Sequence, residues 1–324
     1  MSNLSAVTLR QCWTAVDVAP GSWRLVLPDA AVTEVVDFAR DNAEMDFDAT
    51  GTLALADGLE QRLPLAHEAM RETGEAVGNG VGFAVVDRLP VADLSVPESR
   101  VAAWVLFSCI GRVVDQKQSG VKIYDVRDTQ PTFGHGVRRS ITNLAQEFHT
   151  DAGWLDLPPE FIGLFCREPA EEGGLNQVLS LATVFEQLKA KSPESAERLS
   201  ASFWWDRQME HEPNETKVKS QPVFFEEDGE LNVRYYDDYI RTGHKLGDEP
   251  IDSAGDAALA NMRSIVEQKE LQLEFGLEPG QYLLVNNRRV AHSRSAFSAP
   301  NDEVSRRHYF RLWSRRRGST RLDG

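Results

Sequence analysis

An imidazole and a carboxylate stand two residues apart in Phe148-His149-Thr150-Asp151. In an extended chain, side chains at i and i+2 leave the same face of the strand. One ring nitrogen and one carboxylate oxygen then converge on one point, which supplies two of the three donors of a 2-His-1-carboxylate set for ferrous iron. To be a site, this pair requires a β framework that brings a third donor from elsewhere in the chain. A lone His-x-Asp is otherwise an ordinary pair of surface polar residues, so the third donor decides.

A later stretch offers one. Gly280-Gln281 reads as a turn, an apolar strand follows, and the chain continues Asn286-Asn287-Arg288-Arg289-Val290-Ala291-His292-Ser293-Arg294. His292 is the candidate distal ligand, although a single histidine after an apolar strand is also a common satisfied structural residue. Farther on, Arg307, Tyr309 and Arg311 alternate in a strand-like run and share one face. Guanidinium groups turned into a β core are costly unless anions meet them. Arginine takes carboxylates in bidentate fashion, so a dicarboxylate would satisfy that face. The competing reading is an exposed basic edge strand, since Arg306 carries charge on the opposite face.

Composition narrows the partners. The formal net charge of −15 opposes nucleic acid and anionic lipid, and its ordinary service is solubility. No apolar run reaches the roughly 18 residues expected of a membrane helix. The opening MSNLSAVTLRQCW lacks the basic and apolar regions of a signal peptide. Cys12, Cys109 and Cys166 are widely spaced without a CxxC pair. That pattern speaks against a disulfide framework or a zinc-thiolate site and fits a reducing cytoplasm.

Hydrophobic periodicity places helices over 28–44, 57–76 (interrupted or kinked at Pro64), 98–114 and 256–273. Strand-like runs are GFAVVDRLP, VKIYDV, FIGLFCRE, the segment from Leu175, GQYLLVNN and RRHYFRLW. His67 falls in a helical stretch with no partner at ligand spacing and reads as a surface residue. Residues 127–143 form a long loop before His149, of the kind that often serves as a lid. Trp204, Trp205 and the tyrosines of 200–245 read as core or lid packing. The expected organisation is one α+β domain over 1–324, mainly β in its core. An α/β flank spans about 1–120, the β core about 121–315, and an insertion about 200–278.

Taken together, HxD, a long insertion, NNRRVAHSR and RRHYFR resemble the iron(II)/2-oxoglutarate dioxygenases of the taurine dioxygenase (TauD/TfdA) and γ-butyrobetaine hydroxylase type. The resemblance covers roughly residues 82–313. It implies a double-stranded β-helix, or jelly roll, flanked by helices, in which His149, Asp151 and His292 hold Fe(II). It further implies that Arg307 anchors the distal carboxylate of 2-oxoglutarate and that Arg311 contacts substrate or cosubstrate. Arg294 matches the second arginine of the distal-histidine run and is a further substrate candidate. The usual Gly-Gly-x-Thr turn reads Gly173-Gly174-Leu175-Asn176 here, and the Asn176 amide can donate in place of the threonine hydroxyl.

Such an enzyme consumes O2 and converts 2-oxoglutarate to succinate and CO2 as it oxidises a C–H bond of a small-molecule substrate. The carboxylate of Asp151, replaced by a small residue in related halogenases, favours hydroxylation or desaturation. Asp237 and Asp238 in the insertion suggest an amino acid or amine-bearing substrate, with a solvated loop as the plain alternative. Two other classes stay open: a cupin-like facial-triad metalloenzyme that does not use 2-oxoglutarate, and a non-catalytic binding protein of the same fold. Oligomeric state has no signature in the sequence.

Overall fold

The computed structural model describes residues 11–45, 47, 56–130, 138–298 and 307–323. Residues 131–137 of the expected long loop and Arg306 lie outside the described residues.

The chain begins with β1 (Arg24–Val26), α1 (Asp29–Asp41), α2 (Leu59–Arg62), α3 (Pro64–Asn79), β2 (Phe83–Asp87) and α4 (Val96–Ser108). It continues through β3 (Arg112–Val113), β4 (Ile123–Val126), β5 (Gln146–His149), β6 (Phe161–Glu168), β7 (Asn176–Ser180), α5 (Leu181–Lys191) and α6 (Pro193–Leu199). Then come β8 (Ser202–Asp206), β9 (Val218–Pro222), β10 (Phe224–Glu227), β11 (Glu230–Val233), α7 (Asp237–Leu246) and α8 (Ser253–Val266). The last strands are β12 (Leu273–Phe275), β13 (Tyr282–Asn286), β14 (Val290–Arg294) and β15 (His308–Arg315).

Local chemistry explains where the helices depart from the periodicity. Pro64 does not kink a helix; it occupies the first turn of α3, where its missing N–H costs nothing. Glu34 of α1 accepts from the next two free N–H groups, those of Leu65 and Ala66, at 3.0 Å each. α4 starts at a capping box between Ser95 and Glu98. It stops at Ser108, short of the expected 114, because Arg112–Val113 pair with β15 instead. Likewise α8 ends at Val266, and Leu273–Phe275 join β7 as a strand.

The major sheet runs β1-β2-β13-β6-β15, with β3 and β4 both pairing β15. The minor sheet runs β12-β7-β14-β5. The two face each other as a double-stranded β-helix. Alternation along the major strands separates two cores. Val85, Leu283, Val285, Tyr309 and Trp313 point between the sheets, whereas Val86, Tyr282, Leu284, Phe310 and Leu312 point outward beneath the α1, α3 and α4 layer. Burial on both faces is why these strands read as unbroken apolar runs. It also pins the register, since a one-residue slip would exchange the two sets.

The region between α6 and β12 builds two hairpins, β8–β9 and β10–β11, and the helix pair α7 and α8. Trp205, Tyr235 and Tyr236 are buried there in the core continuous with the barrel, so its aromatics pack as expected.

Candidate metal centre

β14 lies between β7 and β5, and its register places His292 opposite His149. The two rings leave the same face of the minor sheet with centroids 4.3 Å apart. Asp151 follows β5, and its backbone is clamped by Asn287. The Asp151 N–H donates to Asn287 Oδ1 at 2.7 Å, while Asn287 Nδ2 donates to the carbonyls of Asp151 at 2.9 Å and Pro159 at 3.0 Å. Thr150, between the two ligands, is tied to the insertion. Its N–H donates to the Tyr235 carbonyl at 2.7 Å, and its Oγ1 accepts from the Tyr235 N–H at 2.9 Å. The tripeptide is thus fixed from both sides.

His149, Asp151 and His292 are buried, and one donor atom from each lies within 4.8 Å of the others. His149 Nδ1 donates to the Glu147 carbonyl at 2.8 Å, so Nε2, which lies 2.9 Å from Gln146 Nε2, is the ring nitrogen on the cluster side. Asp151 Oδ1 stands 3.2 Å from His149 Nε2 and 4.0 Å from His292 Nε2. The other oxygen, Oδ2, accepts from Trp313 Nε1 at 2.8 Å and meets the Arg311 guanidinium at 3.1 Å. One oxygen is therefore held by the protein and the other is presented to the cluster.

Burial resists charge on Asp151, but the Arg311 guanidinium above all, with a hydrogen bond from His149, outweighs it and holds the carboxyl well below the ordinary range. Burial, then the neighbouring His149, pushes His292 down to about 3, so its imidazole is neutral. Two imidazoles and one carboxylate are the donor set suited to a divalent first-row ion.

Two cavities meet at this cluster. The first is lined by Val126, Leu164, Asn176, Leu283, Arg294 and Arg307 around His149 and His292. Asn176 opens β7 directly opposite Arg294 in the ladder. The turn before it requires glycine, because Gly173 and Gly174 take φ of 76° and 64°. A Cβ on Gly173 would come within 2.2 Å of the Ala296 carbonyl oxygen. Arg307 lies 3.7 Å over the Tyr309 ring. Its Nε and Nη1, and Nδ2 of Asn176, are buried with no hydrogen-bond partner. Unmatched buried donors of this kind cost about 1–3 kcal/mol each, more when charged. Their convergence on one cavity is what a bound carboxylate would relieve. Arg294 belongs to this cavity, and its Nη2 donates to the carbonyls of Thr142, at 2.9 Å, and Leu144.

The second cavity is lined by Arg138, Arg139, Ser140, Trp154, Tyr236 and Tyr239. Tyr236 stacks on Tyr239 at 4.0 Å and stands 4.8 Å from the His149 ring. Arg311 lines both cavities; besides Asp151 it donates through Nε to Gln116 Oε1 at 2.8 Å.

The acidic pair of the insertion does not reach either cavity. Asp237 is buried, ion-paired to Arg241 at 2.9 Å and to Arg263, and lines a groove shared with Gln177, Phe148 and Ser293. Gln146, Ser293 and Arg294 line both this groove and the first cavity, but Asp237 lines the groove alone. Asp237 and Asp238 open α7 rather than a solvated loop. Neither Asp237 nor Asp238 is among the described residues that line the two cavities, and Arg294 stands on the Asn176–Arg307 side.

The sequence reading missed Asn287, Trp313, Gln116 and the Tyr236–Tyr239 pair. Trp313 was recoverable, because it continues the 307-309-311 alternation. Asn287 sits in the same run as His292, but its bonds to Asp151 span 136 residues and have no local signal.

The family described as taurine catabolism dioxygenase TauD, TfdA family matches residues 50–313. The chain belongs to the TauD/TfdA family. Among curated relatives, FR-33289 synthase of Streptomyces rubellomurinus is 27% identical over 95% of this chain and 89% of its own. A uridine-5'-phosphate dioxygenase of an Amycolatopsis species is 29% identical over 71% of this chain and 83% of its own. Among solved structures, asparagine oxygenase in complex with Fe(II), 3-hydroxyasparagine and succinate superposes with a TM-score of 0.71 at 16% identity. That match covers 93% of this chain and 94% of the other. It shows the shared jelly-roll fold. As a TauD/TfdA protein, the chain is an iron(II)/2-oxoglutarate-dependent dioxygenase.

Proposed function

We propose that this dioxygenase hydroxylates an unactivated C–H bond of a small polar metabolite at the His149–Asp151–His292 centre. The observation that carries the reading is the pairing of that donor cluster with the unmatched donors of Arg307 and Asn176 in one adjoining cavity. With iron and 2-oxoglutarate bound, O2 is reduced as the cosubstrate becomes succinate and CO2 and a substrate C–H bond is oxidised.

The protein's part is placement. His149 Nε2, His292 and Asp151 Oδ1 are the donors that would hold the metal. Trp313 and Arg311 hold Oδ2, so Oδ1 is the oxygen that would meet the metal. Arg307 takes the distal carboxylate of 2-oxoglutarate with Asn176 beside it, and Arg311 stands where the two cavities meet. Tyr236, Tyr239 and Trp154 wall the second cavity against water, which favours oxidation of substrate over side reactions. The ligand position that a halogenase would leave open is filled by Asp151, which supports hydroxylation or desaturation.

No helix of the described residues is long and apolar enough to cross a membrane. The free thiols of Cys12, Cys109 and Cys166 support a cytoplasmic setting. The test is anaerobic titration of the protein with ferrous iron and 2-oxoglutarate, following the visible charge-transfer band of the chelate. We expect a band that His149→Ala abolishes and Arg307→Met weakens. Tight iron binding with no band would move the assignment to a facial-triad enzyme that does not use 2-oxoglutarate.

A further inference from the structure

The ladder between β5 and β14 carries one extra residue on β5. His149 faces His292 and Gln146 faces Arg294, so three residues of β5 span a two-residue step of β14. In a regular strand, residues three apart point to opposite faces. The irregularity turns Gln146 back onto the face of His149, and re-aiming one side chain in this way is what bulges do beside active sites.

Two adjoining rows then cross the minor sheet. His149 and His292 belong to one. Gln146, Arg294 and Asn176 make up the next, because Arg294 is paired with Gln146 on one side and with Asn176 on the other. Gln146 lines both cavities, as do His149 and Arg311. It is the member of the second row that reaches the donor cluster.

There the Gln146 amide nitrogen stands 2.9 Å from His149 Nε2. Because His149 Nδ1 donates to the Glu147 carbonyl, Nε2 is the acceptor and Gln146 the donor. That lone pair is the one a metal ion would take, and it cannot serve both. Metal binding therefore breaks this hydrogen bond and releases the Gln146 N–H. It does not release the His149 ring, which stays held through Nδ1. The unmatched buried nitrogens that Asn176, Arg294 and Arg307 bring to the first cavity are all donors. The released N–H joins that set, which a ligand's oxygens would satisfy.

We infer that Gln146 is a positioning residue with two exchangeable partners, His149 Nε2 when no metal claims that lone pair and an oxygen of 2-oxoglutarate when one does. This rests on the reading of the cluster as the iron centre and of the Asn176–Arg307 cavity as the cosubstrate's. The first bond opposes iron, and the second rewards the cosubstrate in full only after iron has displaced the amide. Iron and 2-oxoglutarate thereby favour each other's binding, since such coupling is reciprocal.

Two anaerobic titrations of the full chain test the exchange. The first uses ferrous iron alone against a chromophoric chelator; the second adds 2-oxoglutarate at saturating iron and follows the chelate band. Gln146→Leu should tighten iron about 2- to 10-fold, the reach of one net hydrogen bond, and weaken 2-oxoglutarate about tenfold. Opposite signs in one variant separate the exchange from a merely structural role, which would weaken both ligands. Gln146→Asn, whose amide is drawn back by one methylene, should show the same two signs and decides the matter if the leucine variant does not fold. Iron affinity unchanged or lowered overturns the inference, and so does 2-oxoglutarate affinity unchanged or raised. With the wild-type band present, those failures belong to Gln146 alone. A wild-type chain that binds iron without a band removes the cosubstrate reading first, and the second partner of Gln146 with it.

Discussion

The two cavities that meet at the ligands are built from different kinds of backbone. The side holding Asn176, Leu164, Leu283 and Arg294 comes from strands of both sheets, locked by ladder hydrogen bonds and by burial on two faces. The side holding Arg138, Arg139, Trp154, Tyr236 and Tyr239 comes from a 3-10 turn, a loop and the start of α7. The arginines record the same contrast. Arg307 keeps unmatched nitrogens in a rigid cavity, whereas Arg138 is already paired with Glu210 in an irregular one. A regular framework can hold donors ready for one fixed ligand, while loops adapt the other half of the site to a substrate.

That contrast is most severely tested at the ligands themselves. His292→Ala and Asp151→Ala should both abolish the iron–2-oxoglutarate band. Only Asp151→Ala also leaves Arg311 buried without its counter-charge, so it should lose a further 3–5 kcal/mol or so of stability in denaturant unfolding. If the two variants unfold alike, the Arg311–Asp151 pair contributes less than the geometry implies. Next in size, Arg307→Met should weaken 2-oxoglutarate roughly a hundredfold, for a loss of about 3 kcal/mol. It should leave the residues of the other cavity undisturbed, and a changed stability of the Arg311–Asp151 pair would show that the two halves are not independent.

A smaller effect is expected at Trp313. Replacing it by Phe removes one of the two groups that orient Asp151 Oδ2, and iron affinity should fall about 10- to 100-fold by competition with a chelator. Tyr239→Leu acts on the loop-built side alone. It should raise the substrate KM by less than about tenfold, from the loss of a stacked pair, with the chelate band intact.

The smallest effect is electrostatic. Asp125 on β4 is opposed by burial but held down to about 2 by His308 and Arg100. A carboxyl lowered in the folded state stabilises above its unfolded pKa and loses that contribution as pH falls through the folded value. The thermal unfolding midpoint should therefore fall from about pH 4 toward pH 2, and Asp125→Asn should flatten that slope.

Much of the centre was readable because its signals are local. His-x-Asp on a strand, the 307-309-311 alternation and the glycine turn all follow from a period of two and from φ values that only glycine takes easily. The helix ends were less legible. Pro64 reads equally as a kink or a first turn, and the strand fate of Arg112–Val113 depended on β15, far along the chain. The partners of Asp237 were illegible for a similar reason: nothing local shows that Arg263 meets it from α8.

By itself, the sequence determined which donor atoms are available and which faces they share, because alternation along a strand is a property of the backbone. Tertiary structure decided what each charge meets. Arg311 meets Asp151, Asp237 meets Arg263, and Arg307 lines the cavity beside His292, because those neighbours are set by which strands pair and which elements pack across a buried space. In a low-dielectric interior the identity of the nearest counter-charge governs whether a group is structural or free to bind. That neighbour is fixed only when the two sheets close on each other.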